Sequence, residues 1–211
     1  MDIACYLFEG ITALDIVGPY EVLQRLPDAN VKFVAAQKGP VRTDNGFLGL
    51  VADYSTDDVT SADVLVVPGG FATRKLEHDE PTLEWIRAMD ASSTWTTSVC
   101  TGSMLLAAAG LLEGKEATTH WASLERLRDY GAIPTSKRVV EQGKIVTAAG
   151  VSSGIDMALT LMARIAGDDH AQAIQLGIEY DPQPPFDAGS LEKAPASALQ
   201  ILADLYGDQE V

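Results

Sequence analysis

The chain is poor in several kinds of residue, and each scarcity excludes a class of protein. Two cysteines and three histidines among 211 residues are too few for a disulfide framework, and their spacing suggests no metal site. The chain has 15 basic and 30 acidic residues, so its net charge of −15 argues against binding to nucleic acid or to an anionic membrane. No apolar run reaches the roughly 18 residues of a membrane span, and no signal-like leader opens the chain. We therefore expect a soluble, cytoplasmic protein.

Strand-like and helix-like segments alternate along the whole chain. Residues 3–8 and 64–67 are continuously apolar, as in strands that are buried on both faces, whereas residues 81–89 and 154–165 have helical spacing. Asn45-Gly46 predicts a hairpin between two short strands. The pattern predicts a single α/β domain over residues 1–211, with a mostly parallel, flavodoxin-like sheet covered by helices on both faces.

Cys100 stands between a β-branched strand and a small-residue helix predicted over residues 102–112. This arrangement is typical of a nucleophile elbow, in which a sharp turn presents the reactive side chain at the end of a strand. A nearby helix N-terminus would favour the thiolate. The alternative interpretation is a cysteine packed in the core, which is the one we adopt for Cys5.

Two further pieces follow strands and are expected at the same edge of the sheet. Gly69 and Gly70 lack side chains, so their N–H groups could approach a developing negative charge, although a plain tight turn would explain them equally. Asp15 lies among apolar residues at a helix start. It could complement the helix dipole, or it could face the thiol with a raised pKa and shuttle a proton.

Two other residues remain open as members of such a site. Glu21 lies six residues beyond Asp15 and so points to a different helix face, toward either the pocket or the solvent. His120 is the only histidine suited to pair with Cys100, since His78 and His170 lie in acidic segments. We interpret His120 as a structural histidine at a strand end.

Taken together, these segments resemble the ThiJ/PfpI superfamily, whose fold is similar to that of class I glutamine amidotransferases, and within it the isocyanide hydratases. The matching stretches are residues 14–23, 67–70, 97–103, 107–112, 117–121, 131–134, 154–161 and 175–190. Transcription regulators of the same superfamily share part of this pattern but carry an added helix-turn-helix domain, for which we expect no room before Val211. Protease-like members have histidine where this chain has Thr101, which argues against a protease.

The resemblance implies an enzyme of the lyase class: a homodimer that hydrates a small-molecule isocyanide, R–N≡C, to an N-substituted formamide without metal or cofactor. It also implies the roles of the site residues. Cys100 is the nucleophile that forms a thioimidate, Asp15 is the general acid and base, and Thr101 is a pocket residue that assists them.

Two alternatives stay open at this point. A glyoxalase-like or deglycase-like cysteine hydratase would use the same elbow with a glutamate partner, a role that Glu21 could fill. A non-enzymatic redox sensor would instead need a Cys100 thiol of low pKa that oxidises readily.

Overall fold

A computed structural model describes residues 1–206 of the chain, and a seven-stranded sheet forms its centre. The strands of the chain are β1 (Asp2–Tyr6), β2 (Asn30–Ala35), β3 (Gly39–Arg42), β4 (Gly49–Ala52), β5 (Tyr54–Ser55), β6 (Val64–Val67), β7 (Trp95–Val99), β8 (Glu116–Ala117), β9 (Ile133–Pro134), β10 (Val139–Gln142) and β11 (Ile145–Ala148). The order in the central sheet is β10-β11-β7-β6-β1-β2-β5, and every neighbouring pair is parallel except β10 with β11. The prediction of a mostly parallel sheet is confirmed.

Helices cover both faces of this sheet. They are α1 (Ala13–Leu23), α2 (Thr73–Leu76), α3 (Glu80–Ser92), α4 (Gly102–Ala108), a 3-10 helix (Trp121–Tyr130), α5 (Ser153–Ala166), α6 (Asp168–Gly177) and α7 (Ala196–Tyr206). The connections β1-α1-β2 and β6-α3-β7 run in opposite directions across the sheet, so right-handed crossovers place α1 and α3 on opposite faces. Helices α5 and α6 join the layer of α1, while α2 and the 3-10 helix join the layer of α3 and α4.

The core explains why the central strands are continuously apolar. All four residues of β6 are fully buried, because the strand lies in the middle of the sheet with a helix layer on each side. Helix α1 packs on α5, and Met157 of α5 is fully buried against Val99 of β7 and against Val146 and Ala148 of β11. No helix within residues 1–206 has the length and apolarity needed to cross a bilayer.

Most predicted elements are found within a residue or two of their expected ends, and the hairpin at Asn45-Gly46 joins β3 and β4 as predicted. One stated bound was wrong. Helix α4 ends at Ala108 rather than at residue 112, just before Gly110 takes a positive φ of 82°. The sequence analysis also missed α2, β5, β8 and β9, which are only two to four residues long. A single domain over 1–211 stays a prediction.

Candidate active site

Three neighbouring parallel strands, β1, β6 and β7, end at one edge of the sheet, and the candidate residues follow these ends. Asp15 comes after β1, Gly69 after β6 and Cys100 directly after β7. The chain connections change direction between β1 and β6, which is where open α/β sheets form their ligand sites. The topology therefore brings together side chains that are up to 85 positions apart in the sequence.

Cys100 occupies a strained backbone conformation that tight surroundings maintain. Its φ is +56°, a value rare for a residue with a side chain. The Cys100 N–H donates to the Ala149 carbonyl at 2.9 Å, and the Cys100 carbonyl accepts from the hydroxyls of Ser103 at 3.1 Å and Thr119 at 2.9 Å. A Cβ on Gly102 would lie 2.1 Å from the Val67 carbonyl oxygen, so only glycine fits there. This is the geometry of the predicted nucleophile elbow.

The Asp15 carboxyl is completely buried beside the Cys100 thiol. Its Oδ2 accepts a hydrogen bond from the Gly69 N–H at 2.9 Å, whereas its Oδ1 has no nitrogen or oxygen partner within residues 1–206. Burial raises the pKa of Asp15 to about 7, against the lowering effect of the Gly69 amide and of a hydrogen bond from the Cys100 thiol. The carboxyl thus exchanges its proton near neutral pH and in contact with sulfur.

Cys100 favours its neutral thiol, contrary to the expectation of a thiolate stabilised by the following helix. Burial and the charge of Asp15 raise the pKa of Cys100 to about 12. Hydrogen bonds from the Val151 amide and from the amide and hydroxyl of Thr101 lower it only in part. A helix of seven residues contributes too small a dipole to reverse this balance. Formation of the thiolate therefore requires a base, and Asp15 is the group in contact.

Gly69 and Gly70 direct their N–H groups to Asp15 and Thr101, so neither amide is free in the described part of the chain, and a role of this pair in binding an anion stays a prediction. The Gly69 N–H is taken by Asp15, and the Gly70 N–H donates to the Thr101 hydroxyl at 3.0 Å. Close approach explains the glycine at position 69, where a Cβ would lie 2.6 Å from the Thr101 nitrogen and 2.9 Å from Asp15 Oδ2. Gly70 does line the cavity described next.

A cavity of about 250 Å³ opens beside the sulfur. It is lined by Thr12, Asp44, Gly70, Phe71, Thr73, Arg74, Cys100, Thr101, His120, Trp121, Ala122, Ser123, Val151, Leu202 and Tyr206. Asp15 is not a lining residue and contacts the thiol from within the protein. The sequence analysis named Gly70, Thr101 and His120 of these walls but missed Leu202 and Tyr206, which lie in no motif that marks them.

His120 and Glu21 have different positions relative to the site. His120 lines the cavity. Its Nδ1 also accepts a long hydrogen bond from the Ala122 N–H at 3.4 Å, at the start of the 3-10 helix, which is the kind of structural role predicted for this histidine. Burial lowers the pKa of His120, which keeps its ring neutral. Glu21 is exposed, pairs with Arg25 and does not line the cavity. Within residues 1–206, no cluster of histidine, cysteine and acidic side chains could hold a metal ion.

Comparison with known proteins gives the same family as the resemblance. The model of the DJ-1/PfpI family matches residues 1–164. An isonitrile hydratase of Pseudomonas putida is 46% identical over 199 residues, which are 94% of this chain and 87% of that protein. The transcriptional regulator CdhR of Pseudomonas aeruginosa, of the helix-turn-helix type, is 32% identical over 64% of this chain, but the match covers only 40% of the regulator.

A solved structure agrees with these sequence matches. The crystal structure of a ThiJ/PfpI family protein from Pseudomonas syringae superposes with a TM-score of 0.93 at 38% identity, and the match covers 98% of this chain and 86% of that one. The likeness therefore extends beyond the segment that the family model matches, into the C-terminal residues that carry α6 and α7.

Proposed function

The chain belongs to the DJ-1/PfpI family, and we propose that it is an isocyanide hydratase that converts R–N≡C and water to an N-substituted formamide. The observation that carries the proposal is a buried carboxyl of raised pKa in contact with a buried elbow thiol, beside a cavity of small-molecule size. The near full-length similarity to an isonitrile hydratase supports the same activity. The residue roles below are proposals from the geometry.

The first step adds the thiol across the terminal carbon of the isocyanide. Ionised Asp15 accepts the proton from Cys100 sulfur while the sulfur attacks the carbon, and the carboxyl then gives that proton to the same carbon. The S–H bond and one π bond of the isocyanide are replaced by C–S and C–H bonds, which produces the thioimidate R–N=CH–S–Cys100. Sulfur becomes anionic only during attack, which fits a thiol whose pKa burial raises to about 12.

Thr101 assists the charge that develops on sulfur. Its hydroxyl lies 3.2 Å from the Gly70 carbonyl, to which it can donate, and it also reaches Cys100. A hydroxyl has one proton, so it can turn from the carbonyl to the sulfur as negative charge appears there. The Val151 amide supplies a second donor to the same sulfur.

The second step hydrates the thioimidate. Asp15, ionised again, removes a proton from water as the oxygen attacks the carbon and the C=N π bond opens, and the carboxyl passes that proton to the nitrogen to give R–NH–CH(OH)–S–Cys100. Collapse of this adduct breaks the C–S bond, releases R–NH–CHO and returns a proton to the sulfur. The sum of both steps is one isocyanide and one water consumed and one formamide formed.

The geometry disfavours both alternatives from the sequence. A glyoxalase-like or deglycase-like hydratase with Glu21 as partner would need that side chain at the cavity, and it lies outside it. A redox sensor would need a readily ionised thiol, whereas burial and Asp15 raise the pKa of Cys100. The homodimer and the cytoplasmic location stay predictions.

A direct test is formamide production from methyl isocyanide, followed by mass spectrometry. We expect turnover by the wild type, loss of at least about a thousandfold in Cys100→Ala, and a covalent adduct on Cys100 during turnover. Cys5→Ala is the matched control, because Cys5 is the other buried thiol and lies in β1 away from the cavity. Full activity in Cys100→Ala would disprove the mechanism.

A further inference from the structure

The outer end of the cavity is lined by the exposed Asp44 and by four apolar side chains that the chemistry at sulfur does not use. At the inner end Cys100 is 6% exposed, whereas Phe71, Trp121 and Tyr206 are 42%, 38% and 41% exposed. With the half-buried Leu202, these side chains surround the end of the cavity that faces the solvent. We refer to Phe71, Trp121, Leu202 and Tyr206 as the apolar rim.

Two of the four rim residues come from α7, which lies outside the segment matched by the family model. Leu202 and Tyr206 are four positions apart and so share one face of the helix, the face that lies on the cavity. The Tyr206 ring packs on the Phe71 ring, with centroids 5.7 Å apart and planes tilted by 44°. Ile201 and Leu205 are on another face of α7, are 58% and 70% exposed, and do not line the cavity.

The shape of the substrate links the rim to the reaction. An isocyanide is linear through R–N≡C, so when its terminal carbon reaches the sulfur of Cys100 the R group extends along the cavity toward the exposed end. A methyl group is too short to reach far along it, whereas a larger R group meets the rim. Apolar contact there removes surface from water on both sides.

We propose that the apolar rim determines which isocyanides are used, and that it selects those with an apolar aromatic or branched R group. This inference rests on the proposed function and adds the substrate class to it. Helix α7 supplies two of the four rim residues, Leu202 and Tyr206, and so contributes to this selection. Removing a rim side chain should therefore lower kcat/KM more for a large R group than for a small one.

The test compares kcat/KM for benzyl isocyanide with kcat/KM for methyl isocyanide in the full-length chain. We expect the benzyl-to-methyl ratio to fall about tenfold or more in Leu202→Ala and in Tyr206→Ala, the amount that loss of an apolar contact produces in a specificity pocket. Tyr206→Phe keeps the ring and should keep the ratio within about twofold. Ile201→Ala is the matched control, because it removes an apolar side chain from the same helix without touching the cavity.

The outcomes separate the two proposals. Hydration of both substrates by the wild type, with a ratio that falls in the rim variants and not in Ile201→Ala, supports the inference. An unchanged ratio in the rim variants, or an equal fall in Ile201→Ala, overturns it and leaves the hydratase proposal in place. Hydration of neither substrate by the wild type overturns the hydratase proposal, and the inference with it.

Discussion

Replacing Asp15 by asparagine should make the protein more stable relative to the wild type as the pH rises. The carboxyl has a reference pKa of 3.8 and a folded pKa of about 7, so the folded chain binds the proton more tightly than the unfolded chain. The stability associated with this proton is fully present below pH 3.8 and is lost as the pH rises through 7. Ionised Asp15 consequently opposes folding in alkaline solution, and asparagine carries no such charge.

The size of the effect follows from the two pKa values of Asp15. At about 1.36 kcal/mol for each pH unit, the proton linkage lowers the free energy of unfolding of the wild type by roughly 2 kcal/mol at pH 5 and by roughly 4 kcal/mol at pH 9. The difference in unfolding free energy between Asp15→Asn and the wild type should therefore grow by about 2 to 3 kcal/mol between these pH values. An asparagine oxygen can still accept from the Gly69 N–H, and any penalty of its amide group does not vary with pH.

The assay is urea unfolding of both proteins at pH 5, 7 and 9, followed by tryptophan fluorescence. Asp58→Asn is the control. Hydrogen bonds from Ser55 and the contact with Lys38 lower the pKa of this exposed carboxyl to about 2, so it stays ionised over the whole range. Its difference from the wild type should be flat with pH. A flat difference for Asp15→Asn as well would refute a raised pKa at Asp15 and, with it, the proton transfer from sulfur.

Two further predictions concern the site, and a third concerns the ion pair of Arg126 with Glu77. For the wild type, kcat/KM for methyl isocyanide should rise with pH through about 7 and then level off, because ionised Asp15 takes the thiol proton. A fall in kcat/KM near pH 8 would instead indicate that the Cys100 thiol itself titrates in that range. Gly69→Ala should lower kcat/KM at least about tenfold, since the new Cβ would displace both Asp15 and Thr101. Arg126→Met should lower the free energy of unfolding by about 2 kcal/mol, because it leaves the buried Glu77 carboxylate without its cation. A urea midpoint equal to that of the wild type would count against this pair.

Two control variants test whether the effects of Gly69→Ala and Arg126→Met depend on the contacts of those residues. Gly177→Ala adds a Cβ in open space and should leave kcat/KM unchanged, so a loss there would mean that any added methyl group is harmful. Arg128→Met removes an arginine of the same 3-10 helix from an exposed pair with Glu125, and we expect at most a small change in stability.

Part of the site could be predicted from local sequence because local chemistry determines it. A β-branched strand, Cys100 and the small Gly102 specify a sharp turn without long-range information, and α/β alternation specifies a parallel sheet. The apolar surroundings of Asp15 likewise indicate a raised pKa.

Other features depended on groups that meet only after folding. The amides of Gly69 and Gly70 are engaged by Asp15 of α1 and by Thr101 at the start of α4, which are distant in the sequence, so their availability could not be read from Pro-Gly-Gly alone. The ionisation of Cys100 is set by burial and by the neighbouring carboxyl rather than by its own helix.

The sequence by itself determined the fold class and the elbow, and it named Cys100 and Asp15 as candidates, because periodicity, turn chemistry and apolar context act over a few neighbouring residues. The tertiary structure alone decided where the proton resides, which amides are occupied and which side chains form the cavity. The physical reason is that pKa values and cavity walls depend on distances between segments far apart in the chain. Tyr206 lies beside the cavity of Cys100 only because α7 returns to the sheet edge where β7 ends, directly before that cysteine.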